Sequence, residues 1–230
     1  MGLLYINNHP VDTAIFDFDG TLALMNIDFG LMRSCILNLI ASYGIDPASF
    51  GQSFVLELID EAERIIGQSS RMLEEEFRNE AYRLIEEIEV EAAGRGRLFE
   101  KTKYLLDALK EESIGVGIIT RNCRKALFTV FPDITSYCRV VITREDVRKV
   151  KPHPEQIKLA IQRLGAEVRQ TIMIGDHPLD IETGRRGSTL TAGVLTGNFK
   201  KQDFTKARAD IVLAQAADLL EYLSPGPSPD

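Results

Sequence analysis

The chain has 230 residues, 44% of them hydrophobic and 27% charged, with a formal net charge of -7 and three cysteines. That apolar content excludes a disordered or fibrous chain and predicts one large domain, or one domain carrying a smaller one. The acidic balance excludes an electrostatic footprint for nucleic acid or an anionic membrane, so an anionic substrate would have to be held by local cations.

Residues 13–17 (TAIFD) are a short apolar run that reads as a buried strand. Residues 29–93 then keep a helical period throughout. Phe29, Met32, Ile36, Leu39, Ile40 and Tyr43 make one stripe before Gly44, and Val55, Leu58, Ile59, Ala62, Ile65 and Ile66 make another before Gly67. A third stripe runs through Leu73, Phe77, Leu84, Ile85 and Ile88, with Glu74, Glu75, Glu76, Glu86, Glu87, Glu89 and Glu91 on its other faces as a solvated surface. Gly94-Arg95-Gly96 ends this insert of some 65 residues.

Beyond it, helical patterns at 99–112, 124–131 and 154–164 alternate with apolar runs at 114–120, 138–142, 171–175 and 189–195. Strands alternating with helices predict an α/β fold with a parallel sheet covered on both faces. The closing Pro/Ser/Gly stretch has nothing to bury, and residues 225–230 are expected to be disordered. Cys35, Cys123 and Cys138 lack CxxC spacing and suit free thiols in a reducing compartment. No apolar run reaches the ~18 residues of a bilayer span and no basic-then-apolar leader opens the chain, so the expectation is a cytoplasmic protein with no membrane partner.

Four segments carry the chemistry, each at the carboxyl end of an expected strand, where open parallel sheets bind ligands. In IFDFDGTL, Asp17 and Asp19 leave the first strand together. Two close carboxylates repel, and with oxygen ligands alone the offsetting ion would be hard, such as Mg²⁺. One carboxylate held ionised could then attack while the other keeps a proton for a leaving group. In IITRN, Thr120 and the backbone N–H groups after it could bind phosphate oxygens, with Arg121 a further donor. In KVKPHPE, Lys151 precedes a proline in an extended segment and could neutralise an aspartate and a phosphate at once. In IMIGDHPLD, Asp176 could complete the carboxylate set, and Asp180, one helical turn on, could orient it or a metal-bound water. Three acids, a hydroxyl and a cation make the parts of Mg²⁺-assisted phosphoryl transfer. His9, His153 and His177 have no zinc-like spacing, and His177 alone stands near these motifs.

DFDGTL at 17–22, IIT at 118–120, KPHPE at 151–155 and GDHPLD at 175–180 resemble, in order, the motifs of the haloacid dehalogenase superfamily, in particular its phosphoglycolate-phosphatase-like members with a helical cap. The resemblance covers about residues 12–223. It implies a Rossmann-like catalytic core from residues 1–27 and 95–224, a helical cap at 28–94, and a short hairpin near 22–28. It implies Asp17 as nucleophile and Asp19 as general acid and later base, with Thr120 and Lys151 holding the phosphoryl group. Asp17, the backbone carbonyl of Asp19 and Asp176 would bind Mg²⁺, with Asp180 behind them. An acid at position 19 favours phosphoester chemistry over C–halogen cleavage. Arg95-Gly96-Arg97-Leu98 stands where members of this group often carry a Pro-Gly pair.

The expected activity is Mg²⁺-dependent hydrolysis of a small phosphate monoester, phosphoglycolate-like or a sugar phosphate, through an aspartyl-phosphate. A phosphomutase of the β-phosphoglucomutase kind shares these residues and returns the phosphoryl group to the sugar. A non-catalytic partner-binding protein on the same scaffold would have no need of Asp17, Asp19, Lys151 and Asp176 together. The sequence leaves the cap residues that read the leaving group, and the oligomeric state, open.

Overall fold

The computed structural model of the protein describes residues 2–51 and 54–224. The tail expected to be disordered, residues 225–230, lies outside the described residues. The chain forms two compact units, one built from the segment up to Met25 with that from Gly96 onward, the other from Asn26–Arg95. In chain order the elements are β1 (Leu3–Ile6), β2 (His9–Val11), β3 (Thr13–Phe16), β4 (Ala23–Leu24), α1 (Phe29–Ser42), α2 (Val55–Gly67), α3 (Arg71–Ala93), β5 (Arg97–Leu98), α4 (Thr102–Glu111) and β6 (Gly115–Ile119). They continue with α5 (Arg124–Val130), β7 (Val140–Ile142), α6 (Glu155–Leu164), β8 (Thr171–Gly175), α7 (Pro178–Gly187), β9 (Leu190–Val194), α8 (Lys201–Ala207), β10 (Ile211–Leu213) and β11 (Leu223–Ser224).

The larger unit is an α/β fold around a six-stranded sheet in the order β10-β9-β8-β3-β6-β7, with every pair parallel. Its strands are almost wholly buried, which is why they read as continuous apolar runs. Register does the positioning. Phe16 lies opposite Ile118 on one neighbour and Ile174 on the other, so β3, β6 and β8 end level with one another. The ladder runs one rung further, with Asp17 N donating to Ile174 O at 2.8 Å and Thr120 N to Ile142 O at 2.9 Å. Beneath that edge Ile15, Ile119, Ile142, Ile157, Ala160 and Met173 form a dry cluster that fixes the strand ends.

Two features differ from expectation. The implied hairpin near residues 22–28 is instead a tight turn, with Leu22 N and Ala23 N both donating to Phe18 O, followed by β4, whose antiparallel partner is β5 on the far side of the insert. Arg97 and Leu98, which occupy the Pro-Gly position, are that partner strand. Before residue 13, where no strand was expected, β1 and β2 form a ribbon closed by β11. Asn7 and Asn8 both take positive φ (50° and 66°), the conformation a two-residue type I′ hairpin demands and asparagine tolerates.

The smaller unit is α1, α2 and α3. Asp28 caps α1 by accepting Leu31 N at 2.8 Å, and Ser70 caps α3 by accepting Leu73 N at 3.3 Å. Ile36, Leu58, Ile59, Phe77, Ala81 and Ile85 make its core, and Tyr43 meets Phe77 edge-on at 5.3 Å. One polar group sits badly there. Glu63 is buried on α2, its Oε1 has no hydrogen-bond partner, and its Oε2 lies 3.6 Å from the exposed Arg78.

Burial raises the Glu63 carboxyl above its ordinary 4.5, with Arg78 only partly opposing it. A raised folded-state value leaves stability complete below about pH 4.5 and erodes it as pH rises through the folded value. Glu63→Gln should therefore raise the thermal midpoint near neutral pH by a few degrees, a gain of ~1 kcal/mol, and the gain should vanish near pH 4. Paired thermal melts of the two proteins across that range check it.

Candidate active site

Asp17, Asp176 and Asp180 offer carboxylate oxygens that all lie within 4.8 Å of one another. Each comes from a different local cause. Asp17 is the residue after β3, Asp176 is the residue after β8, and Asp180 stands in the first turn of α7, which Pro178 opens. Lys151, from the loop before α6, reaches into the cluster. Its Nζ donates to Asp17 Oδ1 at 2.5 Å and to Asp180 Oδ1 at 2.6 Å, and the side chain is 4% exposed.

The backbone is moulded tightly around these acids. Gly20, at φ +86°, and Gly197 pass so close to the Asp176 carboxylate that a β-carbon at either position would overlap it. Thr21 Oγ1 donates to Asp176 Oδ1 at 3.3 Å, and Thr196 Oγ1 donates to Gly20 O at 2.5 Å, which ties the loop after β9 to the turn after β3. Asp180 Oδ2 accepts His177 N at 3.1 Å, and His177 Nδ1 accepts Leu179 N at 3.0 Å. With Nδ1 engaged as an acceptor, the neutral His177 ring carries its proton on Nε2. Burial holds this imidazole below its ordinary value, and Phe199 packs edge-on at 4.3 Å.

Charge does not balance. Burial pushes Asp17 up to about 7 against the pull of Lys151, with the Asp180 charge adding to the rise. Burial likewise pushes Asp176 up to about 8, and the neighbouring Asp17 and Asp180 charges add to it. Burial alone would lower the Lys151 ammonium, but Asp17 and Asp180 outweigh it and hold it above its usual value. One ammonium thus faces three acids, and protons make up the deficit. An all-oxygen donor set, short of positive charge and out of bulk water, fits a hard divalent cation such as Mg²⁺.

The other residues singled out in the sequence take these places. Asp19 is half-buried and its Oδ1 accepts Met25 N at 2.8 Å; its side chain is not one of the three gathered carboxylates, and Asp180 is. Thr120 is buried at the end of β6, where its Oγ1 accepts Asn122 N at 3.2 Å and lies 3.4 Å from Asn122 Oδ1. Arg121 Nη1 donates to the Lys151 carbonyl at 2.5 Å, which places this guanidinium on the Lys151 loop.

Sequence reading passed over Thr21, Thr196, Gly197 and Gln156. Gln156 bridges the Thr120 and Lys151 segments, donating from Nε2 to Thr120 O at 2.7 Å and accepting Lys151 N at Oε1 at 3.0 Å. One signal could have found it, since Gln156 lies four residues before Ala160 on the apolar face of α6, an odd position for an amide. Thr196 and Gly197 belong to a loop with no motif of its own.

Comparison with known proteins then fixes the family. A family model described as haloacid dehalogenase-like hydrolase matches residues 14–194. The chain belongs to this family. The hydrolase is 29% identical over 222 residues to the pyrophosphatase PpaX of Bacillus cereus, spanning 93% of this chain and 97% of the relative. It is 25% identical over 220 residues to the protein of the same name from Bacillus pumilus, spanning 94% and 97%. Among solved structures, a hydrolase from Pseudomonas syringae superposes with a TM-score of 0.65 at 20% identity, over 92% of this chain and 97% of that one. A protein from Bacteroides fragilis described as a haloacid dehalogenase-like hydrolase gives 0.64 at 25% identity, over 91% and 99%. Among the described residues, no helix is long and apolar enough to cross a membrane.

The hydrolase's unbalanced acids generate a measurable signature. Because Asp17 and Asp176 titrate far above 3.8, their share of stability is complete at low pH and is lost as pH rises through about 7 and about 8. In chelator the thermal midpoint should fall from about pH 4 up to about pH 8 and level off above that, once both carboxyls are ionised in the folded state as well. Mg²⁺ should raise it, and by more at the alkaline end, since ligand binding to the folded state stabilises it and fewer protons compete there. Melts with and without Mg²⁺ at several pH values read both effects.

Proposed function

We propose that this hydrolase is a Mg²⁺-dependent phosphatase acting on small phosphate monoesters through a phosphoryl group carried on Asp17. The observation that carries the reading is the buried cluster of Asp17, Asp176 and Asp180 around Lys151 at the carboxyl end of the sheet.

In the proposed reaction a carboxylate oxygen of Asp17 attacks phosphorus and the bond to the leaving oxygen breaks. Asp19 gives its proton to that oxygen, so the departing group leaves as an alcohol. Asp19 then accepts a proton from water as the water oxygen attacks phosphorus, the Asp17–phosphorus bond breaks, and inorganic phosphate is released. Lys151 and Thr120 hold the phosphoryl oxygens, with Arg121 securing the segment that carries Lys151. Mg²⁺ would be held by Asp17, the Asp19 carbonyl and Asp176, with Asp180 beside them, and would supply charge stabilisation for the transferring group. The helical insert, residues 28–94, is assigned the part of a cap that shields the reaction from bulk water.

The name carried by the Bacillus relatives makes inorganic pyrophosphate one substrate to test beside phosphoglycolate and sugar phosphates. Purified protein with Mg²⁺ should release phosphate from p-nitrophenyl phosphate and from at least one metabolite of such a panel, and chelator should stop it. Asp17→Asn should lower kcat by roughly 10³-fold or more while the protein stays folded. Retained turnover in that variant would overturn the assignment of the nucleophile, and an isomerised sugar phosphate without free phosphate would make the enzyme a mutase.

A further inference from the structure

We infer that Gln156 is a positioning residue for phosphoryl binding, a side-chain amide that fixes the separation of Thr120 from Lys151; the inference rests on the phosphatase reading. Gln156 is fully buried in the first turn of α6 and has both ends of its amide satisfied by main chain from two separate segments. Its Nε2 donates to the carbonyl of Thr120 at 2.7 Å, and its Oε1 accepts the N–H of Lys151 at 3.0 Å. The amide thus takes the place of one rung of a β ladder between the end of β6 and a loop that is not a strand.

The bridge is held firm on both sides. Ile157, the next residue on α6, is fully buried in the apolar cluster under the sheet, so the helix turn carrying Gln156 moves only with the core. Arg121 Nη1 donates to the carbonyl of Lys151, so residues 120–121 and residue 151 are joined at both the N–H and the C=O of Lys151. Arg144 Nη1 in turn donates to the carbonyl of Arg121 at 3.3 Å. Lys151 Nζ and Thr120 Oγ1 stand one side chain away from the two groups that Gln156 bonds.

Only an amide performs this task. Glutamate at 156 would still accept Lys151 N–H but would set a carboxylate oxygen against the Thr120 carbonyl, two acceptors facing each other. Methionine would keep the volume and leave a buried carbonyl and a buried N–H without partners. Either change lets the Lys151 backbone shift, and a displacement near 1 Å of a positioning group can cost on the order of 10²-fold in rate. Because the displaced groups act on the phosphoryl group and not on the leaving group, the loss should be the same for aryl and alkyl phosphates.

The test compares wild type, Gln156→Glu and Gln156→Met, with Arg121→Met as a second route to the same loop should either Gln156 variant fail to fold. Steady-state kinetics on p-nitrophenyl phosphate and an alkyl phosphate are read well below each variant's thermal midpoint, beside calorimetric binding of inorganic phosphate with Mg²⁺. Expected is a fall in kcat/KM of about 10- to 100-fold, equal for the two substrates, with phosphate binding weakened by a similar factor. A lower thermal midpoint with unchanged kinetics and unchanged phosphate affinity would show a merely structural role and overturn the inference. Binding is read without turnover, so a wild type that binds phosphate but hydrolyses nothing would sink the phosphatase reading while still testing Gln156. A wild type that binds no phosphate would sink both.

Discussion

A single buried ammonium, Lys151 Nζ, is shared between carboxylates from two different segments, and the rest of the site answers to the shortage of positive charge around it. Two unit charges 4 Å apart attract by ~4 kcal/mol at an effective dielectric near 20. Taking each ion out of water costs several kcal/mol. One cation therefore does not offset three acids, and the protein meets the deficit by raising Asp17 and Asp176 until they hold protons near neutrality. Left uncompensated, such a cluster weakens the fold.

The sheet explains why these groups meet. From β3 the chain runs to β6 and β7 on one side, then crosses to β8 and β9 on the other, so β3 lies where the strand order reverses. Ligands in open parallel sheets bind at that crevice. Level registers between β3, β6 and β8 bring Asp17, Thr120 and Asp176 to one edge, although they lie more than a hundred residues apart along parts of the chain. Lys151 is the exception, because it comes from a loop and not from a strand end. It is fixed through side chains: Gln156 and Arg121 grip its N–H and C=O, and Glu155 accepts Arg148 N and Lys149 N to fold the preceding residues onto α6.

Much of the core was legible because its physics is local. Buried parallel strands read as unbroken runs of Ile, Val and Thr, and the stripes ending at Gly44 and Gly67 follow α1 and α2 to within a few residues. The α/β class, the parallel sheet and the family were all readable from those runs and from the four motifs. What escaped depends on partners distant in sequence. The ribbon of β1 and β2 needed β11, at the far end of the described chain, and β4 needed β5 across the whole insert. Asp180 read as a supporting residue because its spacing tells nothing of Lys151, whose bond draws its carboxylate in among the other two. Arg121 read as a reaching donor because a sequence cannot show that the Lys151 carbonyl takes one of its hydrogens.

The central claim is that this charge-starved cluster lets Asp17 carry a phosphoryl group, and trapping the intermediate tests it most directly. Protein mixed with Mg²⁺ and a turned-over phosphate ester is quenched in acid within one turnover, then reduced with borohydride, which converts an aspartyl-phosphate to homoserine. The account predicts homoserine at position 17 and at no other aspartate. Turnover under the same conditions with Asp17 unmodified, or with homoserine at another aspartate, would contradict it.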